Sequence, residues 1–151
     1  MITETIKINA ENAPSRAQKI VEKDDVIFAT TRPTLRRFAI IGDDYNGEIA
    51  STGYCVLRAD TSQVLPKWIY YNISALAFNE YVEKNQEGSA YPSISDAKVK
   101  AFKIPVPAIS EQERIVTILD KFNALVNDIS VGLPAELSAR RSQYEYYRGK
   151  L

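Results

Sequence analysis

The stretch formed by residues 110–151 constrains the fold of this chain most, because it carries a long amphipathic helical pattern. Its apolar residues recur at spacings of three and four, which places them along one side of a helix. The stripe consists of Ile115, Ile118, Leu119, Phe122, Leu125, Val126 and Ile129. It is wider than the seam of a strict coiled coil, so we expect it to pack against more than one neighbour.

Capping and breaking residues predict where the helices of this stretch begin and end. Ser110 is a good N-cap, and Glu113 is placed to bond back to the Ser110 backbone N–H. Gly132 suits the left-handed position after a helix end, and Pro134 suits the first turn of the next helix. The sequence therefore predicts two helices with a break between them, as a coiled-coil-like hairpin or a kinked helix.

The second helix carries a further candidate partner surface. Leu137 and Tyr144 lie seven residues apart, and Tyr147 falls on the same side. Tyrosine is enriched in protein interfaces because it buries a large area with little loss of entropy. Arg140 lies on the same helix and could meet a carboxylate of another subunit. We therefore predict a dimer or partner interface on both helices; the alternative is an ordinary helical hairpin that packs on its own domain.

Short β-prone runs separated by turn signals predict a small sheet before this helical tail. The predicted strands are 19–21, 26–30, 38–41, 54–57 and 102–106. Pro105 and Pro107 confine the last strand to an edge, since proline cannot donate to a ladder. Asn46-Gly47 signals a tight turn. The charged segment 22–25 signals another turn, between the first two strands.

One longer helix and one short helix complete this part of the chain. Pro66 opens a helix that we expect to run to about residue 85, with its aromatic residues in the core. Ser95 is the expected N-cap of a helical turn that ends at Lys100. The predicted fold class is therefore α+β: a small mixed β-sheet domain with a helix packed on it at residues 1–107, followed by a long-helix spacer at residues 108–151.

The residue content excludes several classes of function. The 151-residue chain has no histidine and a single cysteine, Cys55. This excludes histidine-activated nucleophiles and internal disulfides, and it argues against a zinc site. No apolar run reaches the length of a membrane span, and the N-terminus lacks the pattern of a secretory signal. We therefore expect a cytoplasmic chain with no membrane partner.

Catalytic motifs are mostly absent as well. We find no phosphate-binding glycine loop, no dinucleotide-binding glycine pattern and no nucleophile elbow. Two adjacent acidic pairs, Asp24-Asp25 and Asp43-Asp44, come nearest to a nuclease site. Neighbours in a strand point to opposite faces and cannot easily share one metal ion. We therefore predict solvated turn residues there, and neither catalytic nor metal-binding residues in this chain.

A basic proline loop is the candidate recognition surface. The chain has 19 basic and 19 acidic residues, yet positions 14–41 hold six basic residues against three acidic ones. Arginine can pair with guanine or phosphate, and threonine can donate to phosphate oxygens. The candidate DNA-binding residues are Arg16, Thr30, Thr31, Arg32, Thr34, Arg36 and Arg37. The alternative is an ordinary solvated loop.

A second, weaker candidate surface lies in the loop 88–92 and in the helical turn that follows it. Its candidate DNA-binding residues are Ser89, Tyr91 and Lys98. Tyr91 stands beside Pro92 and could instead be a packing residue.

Several motifs resemble the specificity subunits of type I restriction–modification enzymes. The agreement is closest in residues 104–126, which include Glu-Gln-x-Arg-Ile, and in residues 133–151, which include Leu-Pro-Ala-Glu and Gln-Tyr-Glu-Tyr-Tyr-Arg. It extends more loosely through residues 15–33 and 88–95. At the turn 22–25 such subunits usually have Gly-Asp, whereas this chain has Asp24-Asp25. The resemblance identifies residues 104–151 as the end of a recognition domain and its spacer helix.

The resemblance implies a subunit with no chemistry of its own. Full-length members carry two recognition domains and two spacers, and each domain reads one half of a bipartite DNA target. They hold methylation subunits, which use S-adenosylmethionine to methylate adenine, and in the restriction complex also restriction subunits. The implied function is non-catalytic DNA-sequence recognition and assembly, with DNA and the methylation and restriction subunits as partners. The implied cofactor, S-adenosylmethionine, belongs to the methylation subunit, and none is expected in this chain.

By its length the chain resembles a half-sized form of such a subunit. We expect it to lack the second recognition domain and the opening part of the first. Pairing of its spacer helices with a second copy, or with another half-subunit, would restore the two-domain arrangement. Two alternatives stay open: a truncated assembly remnant that dimerises or binds methylation subunits without reading DNA, and an unrelated small enzyme.

Overall fold

A computed structural model describes residues 2–150 of the chain, which form five short strands, four α-helices and two short 3-10 helices (Pro33–Leu35 and Asp43–Tyr45). The strands are β1 (Ala17–Ile20), β2 (Val26–Ala29), β3 (Phe38–Ile40), β4 (Ile49–Ser51) and β5 (Tyr54–Leu57). The helices are α1 (Pro66–Ser74), α2 (Leu76–Asn85), α3 (Asp96–Lys100) and α4 (Ile109–Arg148). The chain divides into two compact units, of which the first ends at Gln112 and the second begins at Glu113. The predicted domain boundary after residue 107 stays a prediction.

The strands form two antiparallel sheets. Strand β2 lies at the centre of the larger sheet, between β3 and β5, and Ile27 is paired with Ala39 on one side and Val56 on the other. Strands β1 and β4 form a separate two-stranded sheet. Small sheets, the helices beside them and the long terminal helix confirm the predicted α+β class.

The core is built around β2, whose four residues are all buried. Val26 and Phe28 point into the main cluster, where Phe28 meets Phe78 of α2 edge to face at 5.1 Å between ring centroids. Ile27 faces the opposite way, into a second cluster with Val21. A strand buried on both faces needs no polar alternation, which explains its continuous apolar run. Burying the side chain of Val26, Ile27 or Phe28 fully stabilises the fold by about 1.5–3 kcal/mol for each residue.

The turn between β1 and β2 departs from its prediction. Asp24 adopts the left-handed conformation, with φ 69°, at the position where glycine is common. Asp25 is buried at 1% exposure, so the prediction of a solvated residue there is wrong. The reason is Arg58, which lies just after β5 and supplies two N–H donors to the Asp25 carboxylate. The predicted turn at Asn46-Gly47 forms, with φ 83° at Gly47.

Three predictions for residues 66–106 have different outcomes. The single helix expected from Pro66 is interrupted at Ala75, whose extended backbone (ψ 155°) separates α1 from α2. The N-cap prediction is confirmed, since the Ser95 hydroxyl accepts the Lys98 backbone N–H at 3.2 Å. The predicted edge strand at 102–106 is wrong. Two prolines remove ladder donors there, and the Pro105 carbonyl instead accepts the Trp68 indole N–H.

Helix α4 runs through the predicted break as one helix of 40 residues with Pro134 inside it. The two-helix prediction is therefore wrong: Pro134 removes one backbone donor, but the intact bonds on either side keep the helix going. Gly132 is not in the left-handed region that a helix end would use. Ser110 is not the N-cap either, because the helix begins at Ile109 and the Gln112 N–H already bonds to the Ala108 carbonyl.

Candidate nucleic-acid interface

Backbone hydrogen bonds join the two loops that the sequence marks as separate candidates. The Ile94 N–H donates to the Thr30 carbonyl at 2.9 Å, and the Arg32 N–H donates to the Pro92 carbonyl at 2.7 Å. Between these bonds Thr31 pairs antiparallel with Ser93. The proline loop after β2 and the loop 88–92 therefore form one surface, which we call the joined loops: residues 30–37 and 88–93.

Arg32 and Tyr91 meet at the centre of the joined loops. The guanidinium carbon of Arg32 lies 5.5 Å from the centroid of the Tyr91 ring. This is within the range of a cation–π interaction, about 6 Å. Tyr91 is 78% exposed, so it is not the packing residue that the alternative interpretation required. Arg32 has left-handed backbone angles (φ 47°, ψ 58°), held by its N–H bond to Pro92.

The loop 88–92 is closed at its base by main-chain bonds. The N–H groups of Glu87 and Ser93 donate to each other's carbonyls at 2.8 and 2.9 Å. Gly88 has φ 92°, and a Cβ there would lie 3.0 Å from the Tyr91 carbonyl oxygen. Only glycine fits this position without displacing the loop. The exposed Ser89 and Tyr91 side chains are presented by this closed loop.

A turn at Gly53 brings Arg16 to the same place. The Arg16 Nε donates to the Thr52 hydroxyl at 3.3 Å, and the Thr52 N–H donates to the Arg16 carbonyl at 2.7 Å. A Cβ on Gly53 would lie 3.2 Å from the Arg16 Nη2 and 3.8 Å from the Thr31 hydroxyl. Arg16 and Thr31 therefore flank this turn, which no feature of the sequence had marked.

Thr30 does not face solvent, unlike the other threonines of the loop. It is 7% exposed, and its hydroxyl and backbone N–H both donate to the Gly53 carbonyl, at 3.0 and 2.8 Å. Thr30 therefore fastens the loop to the Gly53 turn, and its predicted contact with DNA does not fit this geometry. Thr31 and Thr34 are exposed.

Two of the arginines that were predicted to bind DNA make contacts within the fold. The Arg37 Nη2 donates to the Thr31 carbonyl at 2.8 Å. The Arg36 Nη2 donates to the carbonyl of Ser74, the last residue of α1. A cation at a helix C-terminus is favoured by the helix dipole. Both side chains are exposed, so each retains donors that can reach a ligand, but their first role is to brace the loop.

Lys98 closes the far side of the loop 88–92 from the helix α3. Its ammonium pairs with Glu87 and also donates to the Asn85 carbonyl at 3.2 Å. The hydrogen bond from Lys98, with its positive charge, lowers the pKa of Glu87. Lys98 is therefore engaged in holding the loop base.

A family profile decides what kind of domain carries this surface. The profile of the type I restriction modification DNA specificity domain matches residues 2–139. The chain belongs to this family. Its membership confirms the resemblance and makes the chain a specificity domain rather than an enzyme.

Sequence relatives of this specificity domain are longer subunits. The specificity subunit of the type I restriction enzymes EcoR124I and EcoR124II from Escherichia coli is 47% identical over 88 residues, which are 58% of this chain and 22% of that protein. A putative type I restriction enzyme specificity subunit from Haemophilus influenzae is 32% identical over 129 residues, which are 84% of this chain and 31% of that protein.

Solved structures agree with the sequence relatives. The HsdS subunit from Thermoanaerobacter tengcongensis matches with a TM-score of 0.73 and 35% identity, over 81% of this chain and 32% of that chain. A chain from a study of complex assembly and conformational transition of the type I R-M system matches with a TM-score of 0.72 and 36% identity, over the same shares. The specificity domain thus spans about a fifth to a third of the length of these relatives.

Helix α4 (Ile109–Arg148), which we call the tail helix, leaves much of the predicted interface exposed. Phe122 is 64% exposed. The other exposed members are Ile118, Leu125, Val126, Ile129, Leu137, Arg140, Tyr144 and Tyr147. Ile115 and Leu119 are partly buried. Arg140 pairs with Glu136 of the same helix at 2.7 Å, one turn away.

No helix among residues 2–150 is both long enough and apolar enough to cross a membrane.

Sequence reasoning missed Gln112, which anchors the start of α4. Gln112 has 0% exposure, and its side-chain oxygen Oε1 accepts the Leu65 N–H at 2.9 Å. Its side-chain nitrogen Nε2 donates to the backbone carbonyls of Gln63 at 2.9 Å and Pro107 at 2.8 Å. This residue belongs to the Glu-Gln-x-Arg-Ile motif, so one part of that motif has a structural role. A helical pattern scored on apolar residues alone could not have found it.

Proposed function

We propose that this specificity domain binds duplex DNA through the joined loops and reads part of a target sequence. The observation that supports this most is the union of two exposed loops by main-chain hydrogen bonds. It brings Arg32, Tyr91 and Thr31 together beside Arg16. Family membership independently favours a DNA-specificity role.

The side chains of this surface suit contacts with both base edges and phosphate oxygens of DNA. Arg32 offers a planar fork of N–H donors that matches the two acceptors of guanine in the major groove. Arg16 and the Thr31 hydroxyl suit phosphate oxygens, which position a protein without reading sequence. The whole chain has equal numbers of basic and acidic residues, so we expect modest affinity for DNA from this domain alone.

Binding to a pool of random duplexes tests the proposal directly. Fluorescence anisotropy of the 151-residue chain is measured at increasing salt, for the wild type and for Arg16→Ala. Loss of one phosphate contact should weaken binding to all duplexes and reduce the salt slope by about 1. Arg141→Ala is the matched control, since Arg141 pairs with Glu145 on the tail helix. Absence of duplex binding by the wild type at low salt, alone and with a methylation subunit, would contradict the proposal.

We further propose that the tail helix assembles the complex. Its apolar face would pair with the same helix of a second copy or of another half-subunit, and each domain of the pair would hold methylation subunits on one half of a bipartite target. The restriction subunits would join the same complex, which would act on DNA in the cytoplasm. The exposure of Phe122, Leu125 and Ile129 supports a partner, because an apolar stripe of this length is costly to leave in water.

One alternative function rests on the same tail helix. A domain could dimerise or bind methylation subunits through this helix without reading DNA. It would co-purify with a methylation subunit, yet the complex would select no sequence from a random duplex pool. Sequence selection by the complex that is lost on substitution of the joined loops excludes this alternative.

A further inference from the structure

We infer that Arg32 and Tyr91 act as one base-reading unit, in which Arg32 donates to the major-groove edge of a guanine and Tyr91 holds the guanidinium in place. The inference rests on the proposed function, that the joined loops bind DNA. It goes further by assigning base reading to one of the basic residues, and phosphate contact or bracing of the surface to the others.

The contacts of the other arginines carry this division. Arg37 is bonded to the Thr31 carbonyl, and Arg36 is bonded to the Ser74 carbonyl. Arg16 is bonded to the Thr52 hydroxyl. Within residues 2–150, the described contact of the Arg32 guanidinium is with the face of the Tyr91 ring. A contact over the ring engages none of the guanidinium N–H groups in a hydrogen bond, so these donors remain available to a ligand.

The backbone on both sides of this pair is fixed before any ligand arrives. Arg32 is held in a left-handed conformation by its bond to Pro92, the residue next to Tyr91. Tyr91 in turn sits in the loop that Glu87 and Ser93 close. Ring and cation therefore come from two chain segments tied together beside the contact itself. Such restriction lowers the entropy lost when a long side chain is immobilised on a base.

Guanine fits this donor arrangement better than the other bases. Its N7 and O6 atoms are two adjacent acceptors, and a fork of two parallel N–H groups satisfies both. Adenine and cytosine present an amino donor in the same groove, which would face a donor of Arg32. A phosphate also accepts a fork, but a phosphate contact would carry no preference for sequence.

Selection from a random duplex pool followed by sequencing separates these cases. The full chain is used, with a methylation subunit added in a parallel arm, and each variant is compared with the wild type. We expect the wild type to enrich a motif that contains a G·C pair, and Arg32→Ala to lose the preference at that pair alone. Affinity for the selected duplex should fall about 10-fold or more, while affinity for unselected duplexes changes little.

Two conservative variants keep the inference falsifiable if Arg32→Ala folds poorly. Arg32→Lys keeps the charge but not the planar fork, so it should bind unselected duplexes like the wild type and show a weaker guanine preference. Tyr91→Phe keeps the aromatic face and should keep the motif. Tyr91→Ala should weaken the preference at the same base pair as Arg32→Ala, because both act on one contact. Thermal unfolding of each variant checks the fold.

The outcomes distinguish the inference from the function it rests on. If the wild type selects a motif that Arg32→Ala and Arg32→Lys also select in full, the base-reading role of Arg32 is overturned and DNA recognition stands. A uniform loss of affinity for all duplexes, with the motif unchanged, would make Arg32 a phosphate contact and overturn the inference as well. If the wild type selects no motif in either arm, the inference and the proposed reading of DNA fail together.

Discussion

Arg58 binds Asp25 through two parallel hydrogen bonds, from Nε to Oδ1 and from Nη2 to Oδ2, both 2.8 Å long. The carboxylate also accepts the Glu22 backbone N–H at 2.8 Å, so the pair closes the turn that leads into β2. Burial acts to raise the pKa of Asp25, but the hydrogen bonds from Arg58 and Glu22, with the Arg58 charge, outweigh it and lower the pKa. The turn therefore depends on an ionised Asp25.

This pair should make the stability of the fold depend on pH. The pKa of Asp25 is lower in the folded chain than in the unfolded chain, so its contribution is present above the unfolded value of about 3.9 and is lost as the pH falls through the folded value. Urea unfolding at pH 7 should show Asp25→Asn to be less stable by about 2–3 kcal/mol, as expected when a charged hydrogen bond is lost. The difference should shrink below about pH 4. Asp44→Asn at an exposed site is the control, and an equal pH profile for Asp25→Asn and the wild type would refute the dependence.

Gln112 should be among the least replaceable polar residues of the fold. Gln112→Ala leaves the Leu65 N–H and the carbonyls of Gln63 and Pro107 without their partner in partly buried hydrogen bonds, which should cost about 2–4 kcal/mol in the free energy of unfolding. Gln112→Glu keeps the acceptor for Leu65 but sets a carboxylate against two carbonyls, so it should not rescue stability. Replacement of the exposed Gln18 by Ala is the matched control. A loss below about 0.5 kcal/mol for Gln112→Ala, the range of ordinary surface substitutions, would disprove the anchor.

Replacement of the left-handed Asp24 by glycine should change the stability of the fold little, whereas replacement by alanine should lower it. Asp24→Ala places a Cβ in the same strained conformation without a polar side chain that can bond locally, and should destabilise by about 1 kcal/mol. Asp24→Gly relieves the strain, but glycine loses more backbone conformational entropy on folding. The free-energy cost of that entropy is similar to the strain relieved, so the net effect on stability should be small. Thermal unfolding of the three proteins ranks them. Equal stability of the alanine and glycine variants would argue against backbone strain at this turn.

The tail helix should lose its partners on a single charge substitution. Phe122→Glu puts a charge in the exposed apolar stripe and should weaken association at least about 10-fold, as for an interface hot spot. Asn127→Glu adds the same charge about 140° round the helix from Phe122 and is the control. Analytical ultracentrifugation at micromolar concentration and co-purification with a methylation subunit measure the effect. A wild type that is monomeric and binds no methylation subunit would reject the assembly role.

Local signals were sufficient for part of the fold. The strand β5 was predicted at its observed bounds from a β-prone apolar run, and the Ser95 cap was predicted from residue type and spacing alone. The strand β4 was missed because it has three residues, the first of them the exposed Ile49, and so carries no pattern. The predicted helix break at Pro134 was wrong because proline removes only one backbone hydrogen bond, whereas the 40-residue helix keeps its other hydrogen bonds on both sides.

Long-range partners account for what the sequence could not predict. The residue type of Asp25 is the same in a solvated turn and in a buried ion pair, and only the approach of Arg58 decides between them. The joined loops were predicted as two unrelated candidates because Thr31 and Ser93 meet through backbone atoms. Backbone contacts do not depend on residue type, so the sequence could not predict which residues lie at the centre of the candidate site.

The same backbone frame has a consequence for how such a domain can change. The bonds from the Ile94 N–H to Thr30 and from the Arg32 N–H to Pro92, on either side of the Thr31–Ser93 pair, use atoms that every amino acid but proline possesses. Substitutions at the exposed positions of these loops other than Gly88 would therefore leave the hydrogen-bonded geometry unchanged. A lineage of such domains could exchange one preferred nucleotide sequence for another by a few substitutions, with the scaffold beneath inherited intact.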